Sequence, residues 1–128
     1  MLDLDPAREG AQPREAATLV LVRDGERGLE LFCVERNKKS RFLGGAIVFP
    51  GGRVEDDDRD DAWRALVTGD GELRAFGVAA CRETLEEAAL LLADAPANDA
   101  EVLALRARQA SDPGALSAYL LERGAKLD

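Results

Sequence analysis

Apolar positions change their spacing midway along the chain. Ala16 to Arg23 (Ala-Ala-Thr-Leu-Val-Leu-Val-Arg) is rich in branched residues and predicts a strand. Asp24-Gly25 begins a turn, and Leu29 to Arg36 predicts a second strand, so the two form a hairpin. Ala46 to Phe49 is a short apolar run. Pro50-Gly51-Gly52 stops it, because Pro and Gly cannot continue a regular strand. After that the pattern becomes helical. Asp60 to Val67 predicts a short helix, closed by a loop at Thr68 to Gly71, and Phe76 to Ala93 predicts a strong one. Asn98 with Glu101 has the spacing of a capping box before a further helix. Asp112-Pro113 opens the last helix and Gly124 stops it. Residues 1–14 lack any periodicity and predict a flexible lead-in. Residues 15–128 then form one domain of the α/β (α+β) class, with strands in its first half and a helical tail over about 98–124.

The segment Val78 to Leu92 carries the chemistry. At about 100° per residue, Glu83, Glu86 and Glu87 span about 100° of the helix. Val78, Cys81, Leu85, Ala88, Ala89 and Leu92 gather on the opposite side, as a core face would. Glu83 and Glu87 form a repulsive i,i+4 pair, and Glu86 crowds it further. A hard dication, Mg²⁺ or Mn²⁺, would turn that repulsion into coordination. Arg82 could hydrogen-bond and orient a neighbouring carboxylate. The bland alternative is an amphipathic helix with a solvated acidic face.

Composition narrows the possible chemistry. Of 128 residues, 17 are Lys or Arg, 25 are Asp or Glu and none is His, for a net charge of −8. Without histidine there is no Ser–His or Cys–His catalysis and no imidazole metal site. An acidic surface argues against a nucleic-acid polymer as partner. No apolar stretch is long enough to span a membrane. Cys33 and Cys81 could make at most one bridge, and no signal peptide is evident, which points to a cytoplasmic protein with reduced thiols.

Phe49-Pro50-Gly51-Gly52-Arg53 together with Arg82-Glu83-Thr84-Leu85-Glu86-Glu87-Ala88-Ala89-Leu90 resembles the box of Nudix hydrolases, G-x5-E-x7-R-E-U-x-E-E-x-G-U, where U is bulky and aliphatic. Gly52 starts the box and Asp58 stands at its first Glu. Twenty-three residues, rather than seven, separate Asp58 from Arg82. Thr84 occupies an aliphatic position and Ala89 that of the box glycine. The insertion, about 59–74, is similar to that of the branch containing the peroxisomal coenzyme A diphosphatases and many bacterial relatives.

The resemblance implies an α/β/α sandwich around a mixed sheet. It also implies metal-dependent cleavage of a diphosphate linkage in a nucleoside diphosphate joined to another moiety, which could be coenzyme A-like. Glu83, Glu86 and Glu87 would bind Mg²⁺ or Mn²⁺. Glu83 would help deprotonate water and Arg82 would orient it. Gly51, Gly52, Arg53 and Arg41 would meet the small-molecule diphosphate substrate. A catalytically inactive Nudix-fold binding module is the alternative, and an acidic interaction domain a third reading. In the family, further strands follow the box helix, whereas here the tail reads as helical. The sheet is therefore either incomplete or completed by a strand-like tail, and an open edge would favour a homodimer. The acidic run Glu55–Asp61 is either a solvated loop or the source of an outer metal ligand, Asp58. Trp63 is expected to anchor the insertion, and the loop 36–41 to end the hairpin or steer phosphate.

Overall fold

In the computed structural model, residues 12–41, 44–69 and 71–128 are described. Of the expected lead-in, residues 1–11 lie outside them, and residues 12–15 are exposed without regular structure. Six short strands come first: β1 (Ala16–Thr18), β2 (Val22–Gly25), β3 (Gly28–Leu31), β4 (Val34–Glu35), β5 (Ile47–Val48) and β6 (Gly51–Arg53). Two 3-10 turns follow, Asp56–Arg59 and Asp61–Ala65. Three helices complete the chain, α1 (Arg74–Ala88), α2 (Asp99–Gln109) and α3 (Ala115–Arg123). None of the described helices is long and apolar enough to cross a membrane.

The class is α+β. The strands form three separate antiparallel pairs, β1 with β6, β2 with β3 and β4 with β5, rather than one mixed sheet. Among the described residues, parallel pairing is confined to the isolated bridge of Val67 with Leu127. The apolar run 16–23 splits because it serves two partners. Leu19 N donates to Pro50 O, while Leu21 O accepts from Phe32 N. The chain bends where it changes partner. The second expected strand likewise splits into β3 and β4.

Pro50-Gly51-Gly52 does not end the strand structure. Gly51 and Gly52 lie in β6, opposite Thr18 and Ala17. Close approach requires both glycines. A Cβ on Gly51 would stand 2.3 Å from Ala17 O, and one on Gly52 2.3 Å from the Glu83 carboxyl group. The strand therefore carries α1 directly against its backbone.

The expected helix over 60–67 is instead the pair of 3-10 turns. Asp60 separates them with an extended ψ of 140°, and its side chain accepts from Ala62 N. Trp63 is buried, with Nε1 donating to Asp57 O at 2.9 Å. The expected helix over 76–93 runs from 74 to 88. It stops because Ala89 adopts the left-handed conformation, φ 52° and ψ 38°, which most L-residues resist. Asn98 and Glu101 form the capping box of α2, and Gly124 caps α3 at φ 62°.

The core lies on the tail side of α1. Val78 and Leu85 pack with Trp63, Leu66, Val102, Leu105, Leu116 and Leu120. Leu127 is buried and bridges both Val67 and Ala93, so the tail is locally strand-like after Leu92. On the other side β3 and β5 expose apolar side chains, with Leu29 73% and Ile47 67% exposed.

Two single substitutions test this backbone account by urea unfolding. Gly77 is exposed within α1, with nothing within 4 Å of where a Cβ would stand, so Gly77→Ala should stabilise by about 1 kcal/mol. Ala89→Gly relieves left-handed strain but loosens the unfolded chain, so its net gain should be about 0.5 kcal/mol. Loss of stability in both would refute the account.

Candidate active site

Arg82 organises the acidic face of α1. Its side chain is only 9% exposed. Nε and Nη2 donate to the two oxygens of Asp58 at 2.9 and 3.0 Å, a bidentate pair. Nη2 also donates to Arg53 O at 2.9 Å. Nη1 donates to Glu83 at 3.1 Å and to Glu86 at 3.2 Å. The guanidinium is thus spent within the protein. Burial opposes its charge, but the hydrogen bond and charge of Asp58, then Glu86 and Glu83, outweigh burial and raise its pKa.

Asp58 is buried, and its Oδ2 also accepts from Glu55 N at 2.8 Å. Both of its oxygens are thus engaged within the protein, and at this position the acidic run is not a solvated loop. The insertion brings Asp58 back beneath α1, where it fixes Arg82. Its signal in the sequence is its place at the first box acid, six residues after Gly52.

The three glutamates lie beside the double glycine. Glu83 packs against Gly52, and Glu87 Oε2 accepts from Gly51 N at 3.4 Å. Exposure rises along the turn, from the 17% exposed side chain of Glu83 through 33% for Glu86 to the exposed Glu87. Burial raises the pKa of Glu83. Arg82 opposes that shift, and Glu86 and Glu87 add to it. Cys81, packed against the core on the other side of α1, is a neutral thiol, pushed up to about 11 by burial.

Among the described residues, no three acids converge closely enough to hold a metal ion as they stand. Glu83 and Glu86 turn to Arg82, and Glu87 to Gly51. The donor chemistry nonetheless fits a hard dication: three carboxylates in one turn, two of them accessible enough to rotate. Arg53 contributes its carbonyl to Arg82, while its side chain is exposed. Arg41 is exposed in the 36–41 loop, and among the described residues it makes no hydrogen bond or ion pair with the glutamates. Thr84, at an aliphatic position of the box, is buried with its hydroxyl donating to Ala80 O at 2.7 Å.

Arg106 escapes motif reading because it sits in the tail. Its Nε donates to Glu86 O at 2.7 Å, closing an otherwise orphaned carbonyl in the last turn of α1.

No family model matches the chain. It is 33% identical over 73 residues to Nudix hydrolase 15, mitochondrial, of Arabidopsis thaliana, a match covering 56% of this chain and 25% of that protein. The crystal structure of a NUDIX hydrolase from Alicyclobacillus acidocaldarius superposes with a TM-score of 0.71 at 36% identity. That match covers 90% of this chain and 56% of the other. The chain thus spans about a quarter of the curated relative and just over half of the solved one.

Two measurements follow. Asp58→Ala leaves a buried guanidinium without its main partner, so denaturant unfolding should give a loss of about 3–5 kcal/mol. A loss below about 1 kcal/mol would show the pair to be dispensable. The raised pKa of Glu83 has a definite sign. The folded state keeps this proton to higher pH than the unfolded chain, so the contribution is full below pH 4.5, the ordinary value, and is lost as pH rises through the folded value. In chelator-containing buffer, Glu83→Gln should therefore lose less melting temperature than the parent between pH 4.5 and neutrality. Parallel curves would contradict the assignment.

Proposed function

We propose that the chain, which is similar to Nudix hydrolases in sequence and fold, hydrolyses a diphosphate linkage in a nucleoside diphosphate bonded to another moiety, using Mg²⁺ or Mn²⁺. The observation that carries this reading is the seating of Glu83 and Glu87 against Gly52 and Gly51. That contact joins the two halves of the motif into one surface. A coenzyme A-like appended group is the finer form of the proposal. Support for it comes from Phe49-Pro50-Gly51-Gly52 and from the insertion between Asp58 and Arg82.

Glu83, Glu86 and Glu87 would hold the metal. When bound, it would neutralise diphosphate oxygens and lower the pKa of a coordinated water. The protein's own groups do the rest. Glu83 is held by Arg82 and has its proton affinity raised by burial, which suits a group that takes a proton from water. Arg82 fixes Glu83 and Glu86 from within and does not need to touch substrate. Gly51 and Gly52 allow the strand to lie beside the carboxylates without a side chain intervening.

One observation favours the binding-module reading. Glu83 and Glu86 are both turned onto Arg82, so coordination requires them to leave it at least in part.

The test is a panel of diphosphate compounds with Mg²⁺ or Mn²⁺: a nucleoside diphosphate sugar, a dinucleoside polyphosphate and coenzyme A. The expected outcome is metal-dependent release of a monophosphate product, lowered at least about 100-fold by Glu86→Gln or Glu87→Gln. Mutants as active as the parent would remove the site assignment. Thermal stabilisation by one of these compounds without product would favour the binding module.

A further inference from the structure

The face of α1 carries three glutamates, and its one organised cation, Arg82, has already committed its donors to Asp58, Glu83, Glu86 and Arg53 O. An anionic substrate needs donors that are still free. Arg106 on α2 meets that need from outside the motif. Its Nε is tied to Glu86 O at 2.7 Å, which fixes the guanidinium beside the acidic turn. Among the described residues its two terminal NH₂ groups have no hydrogen-bond or ion-pair partner. A planar guanidinium held at one nitrogen and open at the other two is preorganised for two-point contact with phosphate.

The surroundings extend the argument. Glu86, Leu103, Arg106, Ala107 and Ala110 line one groove of about 460 Å³. Positions 103, 106, 107 and 110 form a stripe along α2. Val102, Leu105 and Gln109 are the buried side of the same helix, so this stripe is a second, solvent-facing one. Leu103 is 54% exposed and the two alanines are exposed. A long apolar side chain beside two methyl groups gives the groove an apolar side against which a planar base could stack. The groove starts at Glu86 and is continuous with the proposed reaction face.

We propose that Arg106 and the Leu103–Ala107–Ala110 stripe form a nucleotide subsite, with a phosphate on the guanidinium and a nucleobase over the alanines. This rests on the reading that the Glu83–Glu87 face acts on diphosphates. It assigns the nucleoside side of the substrate to the α1–α2 groove.

The test is calorimetry on the full chain in magnesium buffer, using α,β-methylene-ADP and methylenediphosphonate, neither of which can be hydrolysed at the bridge. The nucleotide should bind at least tenfold more tightly than the bare diphosphonate, because only it has a base. Arg106→Ala should weaken nucleotide binding about tenfold, and Arg106→Lys less. Ala107→Glu lies on the exposed stripe and leaves the Glu86 O bond alone, yet it puts a carboxylate in the groove. It too should weaken binding about tenfold. In turnover with a nucleoside diphosphate sugar, Ala107→Glu should raise KM with kcat within about threefold of the parent. Loss of binding in Arg106→Ala but not in Ala107→Glu would overturn the subsite, reducing Arg106 to a cap on α1. Equal affinity in all variants, or no preference for the nucleotide, would overturn it as well. Absence of hydrolysis from the parent with every panel compound would instead sink the hydrolase reading, and nucleotide binding would then still decide the subsite.

Discussion

The buried ion pair between Asp58 and Arg82 is the constraint on which the site depends. Removing two charges from water is costly, and such a pair repays that cost only with good geometry and full hydrogen bonding. Here both carboxylate oxygens and several guanidinium donors are used. The pair ties the 3-10 turn Asp56–Arg59 to the middle of α1, and the remaining donors reach Arg53 O, Glu83 and Glu86. One side chain therefore sets the distance between strand and helix and the direction in which two glutamates point. Without Asp58 the arginine would have only the glutamates as anionic partners, and they would become purely structural ones.

Backbone constraints act alongside this electrostatic one. Gly51 and Gly52 are required because atoms of β1 and α1 occupy the space of their missing side chains. Ala89 meets the opposite requirement. The chain must turn left-handed there to leave α1, and it does so with a methyl group where a glycine would be relaxed. The strain is small, and Arg106 closes a carbonyl in the same last turn. A tail helix thus supports the end of the helix that carries the carboxylates.

The acidic helix, the hairpin, the anchoring role of Trp63 and the capping box at Asn98 are all legible in the sequence, because each depends on local spacing or on a single residue's burial preference. Partner choice is not. The run 16–23 has uniform strand composition, yet it divides between β6 and β3, and nothing local encodes that exchange. The pairing of Gly51 and Gly52 is hidden for the same reason: composition identifies them as turn formers, and only the approach of Glu83 and Ala17 explains them as strand residues. Helix α1 ends early at a left-handed alanine, and because that conformation is rare for alanine the apolar pattern through Leu92 gives no warning. Asp58 is visible as a motif position, but its burial follows from a contact 24 residues away.

Charge balance links these features to chemistry. Arg82 is paired with three carboxylates, Asp58, Glu83 and Glu86, and a fourth, Glu87, turns to Gly51 N on the same face. Asp58 is neutralised by its bidentate pair, which leaves Glu83 and Glu86 sharing one remaining donor nitrogen and Glu87 with no guanidinium contact. Among these three, burial is greatest at Glu83, so the excess charge is costliest there, and its proton affinity rises accordingly. Protonation would relieve the repulsion, and so would a dication. The dication has the larger charge and can bridge several carboxylates at once. A face that is electrostatically unsatisfied alone and satisfied by a metal carrying an anionic ligand is poised for binding. On the proposed function, the same imbalance that costs stability in the free protein would supply the attraction for a metal and, through it, for diphosphate.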